Sequence, residues 1–341
     1  MNRTTLATAL DRMRVPQLLM SLRGSSSPWL TVLTYHRVGE PGVAGDLDDG
    51  VVDVTPDQLD RQLRYLRRWL DLVSLQDVLA WSRGWRGLPA NPVLVTFDDG
   101  YRDNHDVALP ILRRHGVRAT FFVAVDYVRE RRLYWWDRVA LVLKRSSREC
   151  VRLEYPEPLV LPLRDARSRK NAVRIAQRIV KDRRGLDLHR FLDELEHAAG
   201  VSLDREEERR LAERTVMNWH HVLALRDAGM DVQSHTRSHR VLQTLDDEDL
   251  TRELRGSREE LECVLGRTVS AVSYPVGKPL GDDQRIKRAV RECGYELGFS
   301  NGTGSNRLEA FDPFDARRMS LDVSLADEMF RTMLALPWLA Y

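Results

Sequence analysis

Short β-rich runs, several of them almost wholly apolar, that alternate with helix-period segments constrain this 341-residue chain more than any other feature. Trp29–Tyr35, Val93–Phe97, Arg118–Val125, Met230–Ser234, Val269–Tyr274 and Glu296–Ser300 read as strands, with a short one at Asp71–Ser74 and a last one at Arg318–Val323. Runs without polar alternation belong to strands covered on both faces. Between them the spacing turns helical. Thr55 and Pro56 open a helix whose Leu59, Leu63, Leu66 and Leu70 make one apolar stripe, and Ser74 opens another through Trp81. Glycines stop the later ones: Gly116 after Val107–His115, Gly229 after Trp219–Ala228, Gly266 after Leu245–Leu265 and Gly294 after Asp282–Cys293. Strands alternating with helices imply an α/β fold built on a parallel sheet or barrel.

The rhythm breaks over 126–215, which reads as a largely helical, Arg-rich insertion into a domain spanning 29–323. From Arg129 to Arg190 there are eighteen Lys/Arg against eight Asp/Glu, and Glu194–Glu213 then turns acidic. Such a run is a solvated face or, if functional, a surface for an anionic lipid-linked or phosphorylated ligand, or for a membrane. Residues 1–28 form an N-terminal helical segment with Leu6, Leu10, Met13 and Leu18 at helical spacing, followed by a turn at Gly24–Pro28. In 324–341, Ser324 caps a C-terminal helix that Pro337 ends. The net charge of +2 points to no nucleic-acid partner. Cys150, Cys263 and Cys293 form neither a disulfide framework nor a zinc knuckle, which suits a reducing compartment. Asp11, Arg12, Arg14 and Pro16 interrupt any signal-peptide core, and no apolar run is long enough to span a membrane. A cytoplasmic protein, or one resting on the inner face of a membrane, is expected.

Three motifs fall at predicted strand ends. Val93–Phe97 runs into Asp98-Asp99-Gly100, which reads either as an ordinary Asp-Gly turn or as two carboxylates pointing to different sides, one for a metal and one for a proton. Met230–Ser234 runs into His235-Thr236-Arg237-Ser238-His239, two imidazoles spaced to meet one cation. Tyr35-His36-Arg37-Val38 puts a third histidine at the end of the first strand. Ligands of α/β folds gather at strand C-termini, so two histidines and a carboxylate on one rim make the three-ligand set of a catalytic zinc.

Thr96-Phe97-Asp98-Asp99-Gly100 together with His235-Thr236-Arg237-Ser238-His239 resembles the polysaccharide deacetylase family, also called the NodB-homology or carbohydrate esterase 4 group. The resemblance covers about Leu30 to Val323 apart from the insertion, and implies a distorted (β/α) barrel of about seven strands. It implies Asp98 as general base, and Asp99, His235 and His239 as ligands of a divalent metal, zinc first. Tyr35-His36-Arg37-Val38 is similar to the branch that contains poly-N-acetylglucosamine deacetylases, where an early histidine is the catalytic acid. Tyr274-Pro275-Val276-Gly277 resembles the family's groove wall, with Val276 where an aromatic is usual. Many members carry an arginine two residues before that proline to pair with the base. Ser273 stands there in this chain, and Arg318 is a candidate substitute. No histidine follows His239, so the family's late Leu-x-His is absent and His36 is the acid to expect.

The resemblance thus predicts metal-dependent hydrolysis of the N-acetyl amide of an amino sugar, in a glycan or its lipid- or nucleotide-linked precursor. Tyr101 is expected to offer its backbone N–H to the oxyanion, and Tyr101, Tyr274, Pro275 and Gly277 to contact the sugar. For Trp135 and Trp136, core packing is expected. A related hydrolase of formylated sugars or cyclic imides, and a glycan-binding homologue without catalysis, are the competing readings.

Overall fold

The computed structural model describes residues 3–22, 29–42 and 45–336, so the expected turn at Gly24–Pro28 and the stop at Pro337 lie outside the described residues. Among these, seven parallel strands build the wall: β1 (Trp29–Tyr35), β2 (Pro92–Phe97), β3 (Thr120–Val123), β4 (Asp231–Ser234), β5 (Ala271–Ser273), β6 (Leu297–Phe299) and β7 (Met319–Ser320), and two two-residue strands join the same sheet, Asp71–Leu72 parallel to β2 and Asn306–Arg307 antiparallel to β1. They pair in sequence order from β1 to β6, and β7 returns to β1 through Leu33 and Met319. A bridge between Phe299 and Ala316 draws β6 against the segment leading into β7, so the curled sheet's edges meet there. The chain is therefore α/β with a distorted seven-stranded barrel.

Register decides where chemistry can sit. Tyr35 pairs with Phe97, Phe97 with Phe121, Val123 with Ser234, Ser234 with Val272, and Ser273 with Phe299. The strands end level, and His36, Asp98, Asp99 and His235 follow directly on one rim. Side-chain alternation separates two cores. Leu30, Val32, Leu94, Phe122, Ala271, Leu297 and Phe299 fill the barrel with the helix Leu75–Ser82, whereas Leu33, Val93, Val95, Phe97 and Phe121 face the outer helices. Thr96 and Asp98 share the inward parity of Leu94, which is why Asp98 turns into the barrel mouth.

Several expectations change. The N-terminal segment is two helices, Arg3–Arg12 and Val15–Leu22, because Pro16 cannot donate to a continuous helix and Arg14 turns to φ +56. Both are tied to the C-terminal helix Asp327–Ala335, where Arg331 grips Asp11 with two 2.7 Å bonds. That helix starts after Ala326, not Ser324, since Asp322 captures the Ser324 N–H and hydroxyl. The last strand is only Met319–Ser320. The insertion carries helices at Trp135–Arg145, Ala166–Asp182, Leu188–Ala199 and Arg205–Thr215, but also an unexpected hairpin pairing Cys150–Leu153 with Leu159–Pro162. About half of its arginines are ion-paired, among them Arg138 with Glu196 (2.5 Å), Arg145 with Asp46 and Glu207, and Arg183 with Glu157. No helix among the described residues is long and apolar enough to cross a membrane.

Candidate active site

Asp98 is 1% exposed and held from two sides. Arg318, itself fully buried, donates Nη1 to Oδ1 (2.8 Å) and Nη2 to Oδ2 (2.7 Å), and Ser273 adds its hydroxyl to Oδ2 at 2.9 Å. Arg318 also bonds the Ser273 hydroxyl (2.9 Å), so the guanidinium reaches the carboxylate across the place where Ser273 leaves room. Burial alone would raise the Asp98 pKa, but the charges of Arg318 and His235 and the Arg318 hydrogen bonds outweigh it and hold the carboxyl below its usual range.

Asp99 points the other way. His235 Nε2 lies 3.2 Å and His239 Nε2 3.3 Å from Asp99 Oδ1, all three residues being buried. Donors about 2.1 Å from a tetrahedral ion lie about 3.4 Å apart, so this spacing suits a shared cation. Asp99 Oδ1 has no hydrogen-bond partner among the described residues despite the two imidazoles beside it, and His239 Nδ1 has none either. The Ser273 carbonyl takes the Nδ1 proton of His235 at 2.8 Å, which fixes the tautomer that leaves Nε2 free as a ligand. Burial lowers the His239 pKa against the pull of Asp99, favouring the neutral imidazole. Burial raises Asp99, but the neighbouring histidines overcome it and keep the carboxyl far below its ordinary value. The donor set and the unpaired carboxylate oxygen fit a divalent metal.

The loops that make this possible are strained. Asp99 (φ +73), Thr236 (+63), His239 (+57) and Val276 (+62) occupy the left-handed region, and all four lie at the rim. Such residues cost of order 1–3 kcal/mol each and persist where surrounding structure fixes them. Gly100 (φ +94) meets this demand without a side chain; an added Cβ would lie 3.3 Å from Val123.

His36 stands on the same rim with about a quarter of its side chain exposed. Its Nδ1 lies 2.8 Å from Asp53 Oδ2, which also accepts the His36 backbone N–H at 2.5 Å. Burial opposes protonation, but the charge and hydrogen bond of Asp53, helped by Asp99 and Asp98, push the pKa up to about 9. Asp53 escaped the sequence reading; it sits in the three-residue strand Val52–Val54, where an acid between two valines was the available signal.

The aromatic residues are not open platforms. Tyr101 is fully buried, its ring 4.8 Å from Tyr134 and 5.1 Å from the Arg37 guanidinium, and its hydroxyl accepts Trp136 Nε1 at 2.6 Å. Tyr274 is 1% exposed and gives its hydroxyl to the Phe314 carbonyl at 2.7 Å. Neither ring offers a face to a sugar, contrary to expectation, because each hydroxyl finds a partner inside. Pro275–Gly277 forms a buried tight turn in which a Cβ on Gly277 would meet Asn301 at 2.4 Å. Trp135 and Trp136 are packed, as core residues; Trp136 lies 4.4 Å from the His239 ring. Asp137, also unforeseen, is buried beside Tyr101, accepts the Asp48 N–H at 2.9 Å, and is raised by burial to about 7.

Comparison with known proteins agrees with this geometry. The family profile described as "Polysaccharide deacetylase" matches residues 86–151 and 207–298, taking in Asp98, Asp99, His235 and His239 and passing over 152–206. A Streptococcus pyogenes deacetylase, PplD in complex with acetate, has a similar structure (TM-score 0.58, 16% identity, 89% of this chain and 98% of that one). So do IcaB from Ammonifex degensii (TM-score 0.54, 18% identity, 92% and 97%) and the BpsB deacetylase domain from Bordetella bronchiseptica (0.52, 16%, 87% and 97%). The Bacillus subtilis protein YxkH is 55% identical over 31 residues, a stretch covering 9% of this chain and 11% of that protein. With the profile matched on both sides of the insertion and its two motifs meeting in one site, residues 86–151 and 207–298 of this chain are similar to the polysaccharide deacetylase family.

Proposed function

We propose that the protein is a metal-dependent N-deacetylase that hydrolyses the N-acetyl amide of an amino sugar, in a glycan or its lipid- or nucleotide-linked precursor. The observation that carries this reading is the division of two adjacent carboxylates. Asp98 is locked by Arg318 and Ser273, while Asp99 turns an unpaired oxygen to two imidazoles.

Asp99, His235 and His239 would hold the metal, with zinc the best match to two neutral imidazoles and one carboxylate. When bound, it supplies Lewis-acid polarisation of the acyl carbonyl and a lowered pKa for a water molecule. Asp98 is the general base. Ionised at neutral pH, it takes a proton from the attacking water as the new C–O bond forms, and Arg318 and Ser273 fix the direction of its remaining lone pairs. The backbone N–H of Tyr101 donates to the developing oxyanion. His36, kept protonated by Asp53, gives its proton to the departing sugar nitrogen as the C–N bond breaks, leaving acetate and a free amine.

A substrate panel tests the reading. Metal-loaded protein should release acetate and primary amine in equal amounts from an N-acetylated glycan. Formate from a formylated sugar with no acetate, or ring opening of a cyclic imide alone, would replace the acetyl assignment. Tight glycan binding without turnover would replace the enzyme by a binding protein.

A further inference from the structure

The two N-terminal helices leave apolar side chains bare at the end of the barrel opposite the candidate site. We propose that this end is a docking surface for an anionic lipid bilayer. In the helix Val15–Leu22, Pro16 and Met20 are buried on the inner face, while Leu18 and Leu22, also four residues apart, are 57% and 69% exposed on the outer one. A helix that is apolar all round is ordinarily buried. Met13, between the two helices, is 66% exposed. Among the described residues five large apolar side chains are exposed, so these three make a concentration and not the usual scatter. The strands fix where this patch lies. The Met20 carbonyl accepts Asn91 Nδ2 at 3.3 Å, and Asn91 directly precedes β2, whose other end runs into Asp98. The Asn91 carbonyl takes the Asp71 N–H at 2.9 Å, which brings in the end of the helix Pro56–Trp69 with Arg67 and Arg68. The loop that ends at Asn91 also holds Trp85, 73% exposed. A bilayer seated at this end leaves the rim of His36, Asp98 and Asp99 facing away from it.

Charge selects the occupant. Asp11 is the only acidic residue in the first 39, and Arg331 holds it at 2.7 Å. Arg12, Arg14, Arg67 and Arg68 are exposed and have no carboxylate partner among the described residues. A second copy of the chain on this face would set the same cations opposite one another across a two-fold axis. A nucleic acid would answer the cations and leave the leucines bare. An anionic headgroup layer meets both demands. Its phosphates face the guanidiniums, and the acyl boundary beneath takes Met13, Leu18 and Leu22, with the Trp85 indole suited to the interface between them.

Co-sedimentation of the full-length protein with phosphatidylcholine vesicles, with and without phosphatidylglycerol, tests this. Wild type should partition onto the anionic vesicles and bind about tenfold or more weakly to pure phosphatidylcholine, or at about 1 M salt, where the Debye length is about 3 Å. Leu18→Ser combined with Leu22→Ser should weaken binding to the anionic vesicles about 30-fold, with far-UV spectrum and melting temperature unchanged because both side chains already face water. Arg12→Gln combined with Arg14→Gln should weaken it about 25-fold, about fivefold for each charge. Wild type left in the supernatant with anionic vesicles overturns the proposal, as does binding by both variants at the wild-type level. A wild-type dimer in analytical ultracentrifugation that the two leucine substitutions split into monomers also overturns it, and assigns the face to a second copy of the chain.

Discussion

Replacing Asp53 by Asn is the sharpest probe of the acid. The carboxylate accepts both the ring and the backbone N–H of His36, and its charge is the largest influence holding the imidazole protonated. Asn keeps the shape and one acceptor but removes the charge. Burial is then opposed only by the weaker pull of Asp99 and Asp98, and the His36 pKa should drop from about 9 to about its ordinary 6.5. At pH 8 the protonated fraction falls from about nine-tenths to about 3%, a loss of about 30-fold in kcat/KM, whereas at pH 5.5 the two forms should differ by less than about twofold. A pH–rate profile of amine release, read by a fluorogenic amine reagent on metal-saturated protein, measures the shift in the basic limb directly. A uniform loss at every pH would mean that Asp53 acts only on folding or geometry. An unchanged basic limb would remove His36 from the role of acid.

Arg318→Met should destabilise the fold by about 3–5 kcal/mol in urea titrations, because it strands the Asp98 carboxylate in the barrel mouth. Adding Asp98→Asn to it should recover part of that loss, and strictly additive effects would show that the two groups do not act as a pair. Asp137 makes a separate prediction about stability. Its pKa is raised from 3.8 to about 7, so the folded form binds an extra proton between those values and stability falls as pH rises from about 4 through 7. Asp137→Asn should flatten that slope, raising the melting temperature relative to wild type at pH 8 and not at pH 4; parallel slopes would refute it. His239→Ala should reduce bound zinc from about one per chain to near zero with an unchanged far-UV spectrum, and retained stoichiometric zinc would exclude His239 as a ligand.

The barrel and its rim are legible in the sequence because most of the buried strands are short apolar runs, and the strands at the site stop where chemistry begins; Asp231–Ser234 is the polar exception. Level register then brings His36, Asp98, Asp99 and His235 together although almost 200 residues separate the first from the last. What escaped has physical causes. Asp53 lies in a three-residue strand paired with Arg37–Val38, too short for a period to show, and only folding brings it to His36. The insertion's hairpin offers four residues of alternation per strand inside an Arg-rich run, so its composition pointed to helix. Tyr101 and Tyr274 follow strand ends, where aromatics can face a ligand, but their hydroxyl partners come from distant segments and turn the rings inward. Arg318 shows the opposite case. Its guanidinium completes an ion pair with Asp98 from 220 positions away, a contact suggested by the serine at position 273 and not by any local pattern.

The division of labour between the two adjacent aspartates is tested most directly by Asp98→Asn, assayed for bound metal and for acetate release on the same sample. Asp98→Asn should hold about one divalent metal per chain, as in wild type, and release acetate from an N-acetylated glycan about 10²–10⁴-fold more slowly. Retained deacetylation with full metal occupancy would contradict Asp98 as the base, and loss of the metal would contradict its separation from the Asp99, His235 and His239 cluster.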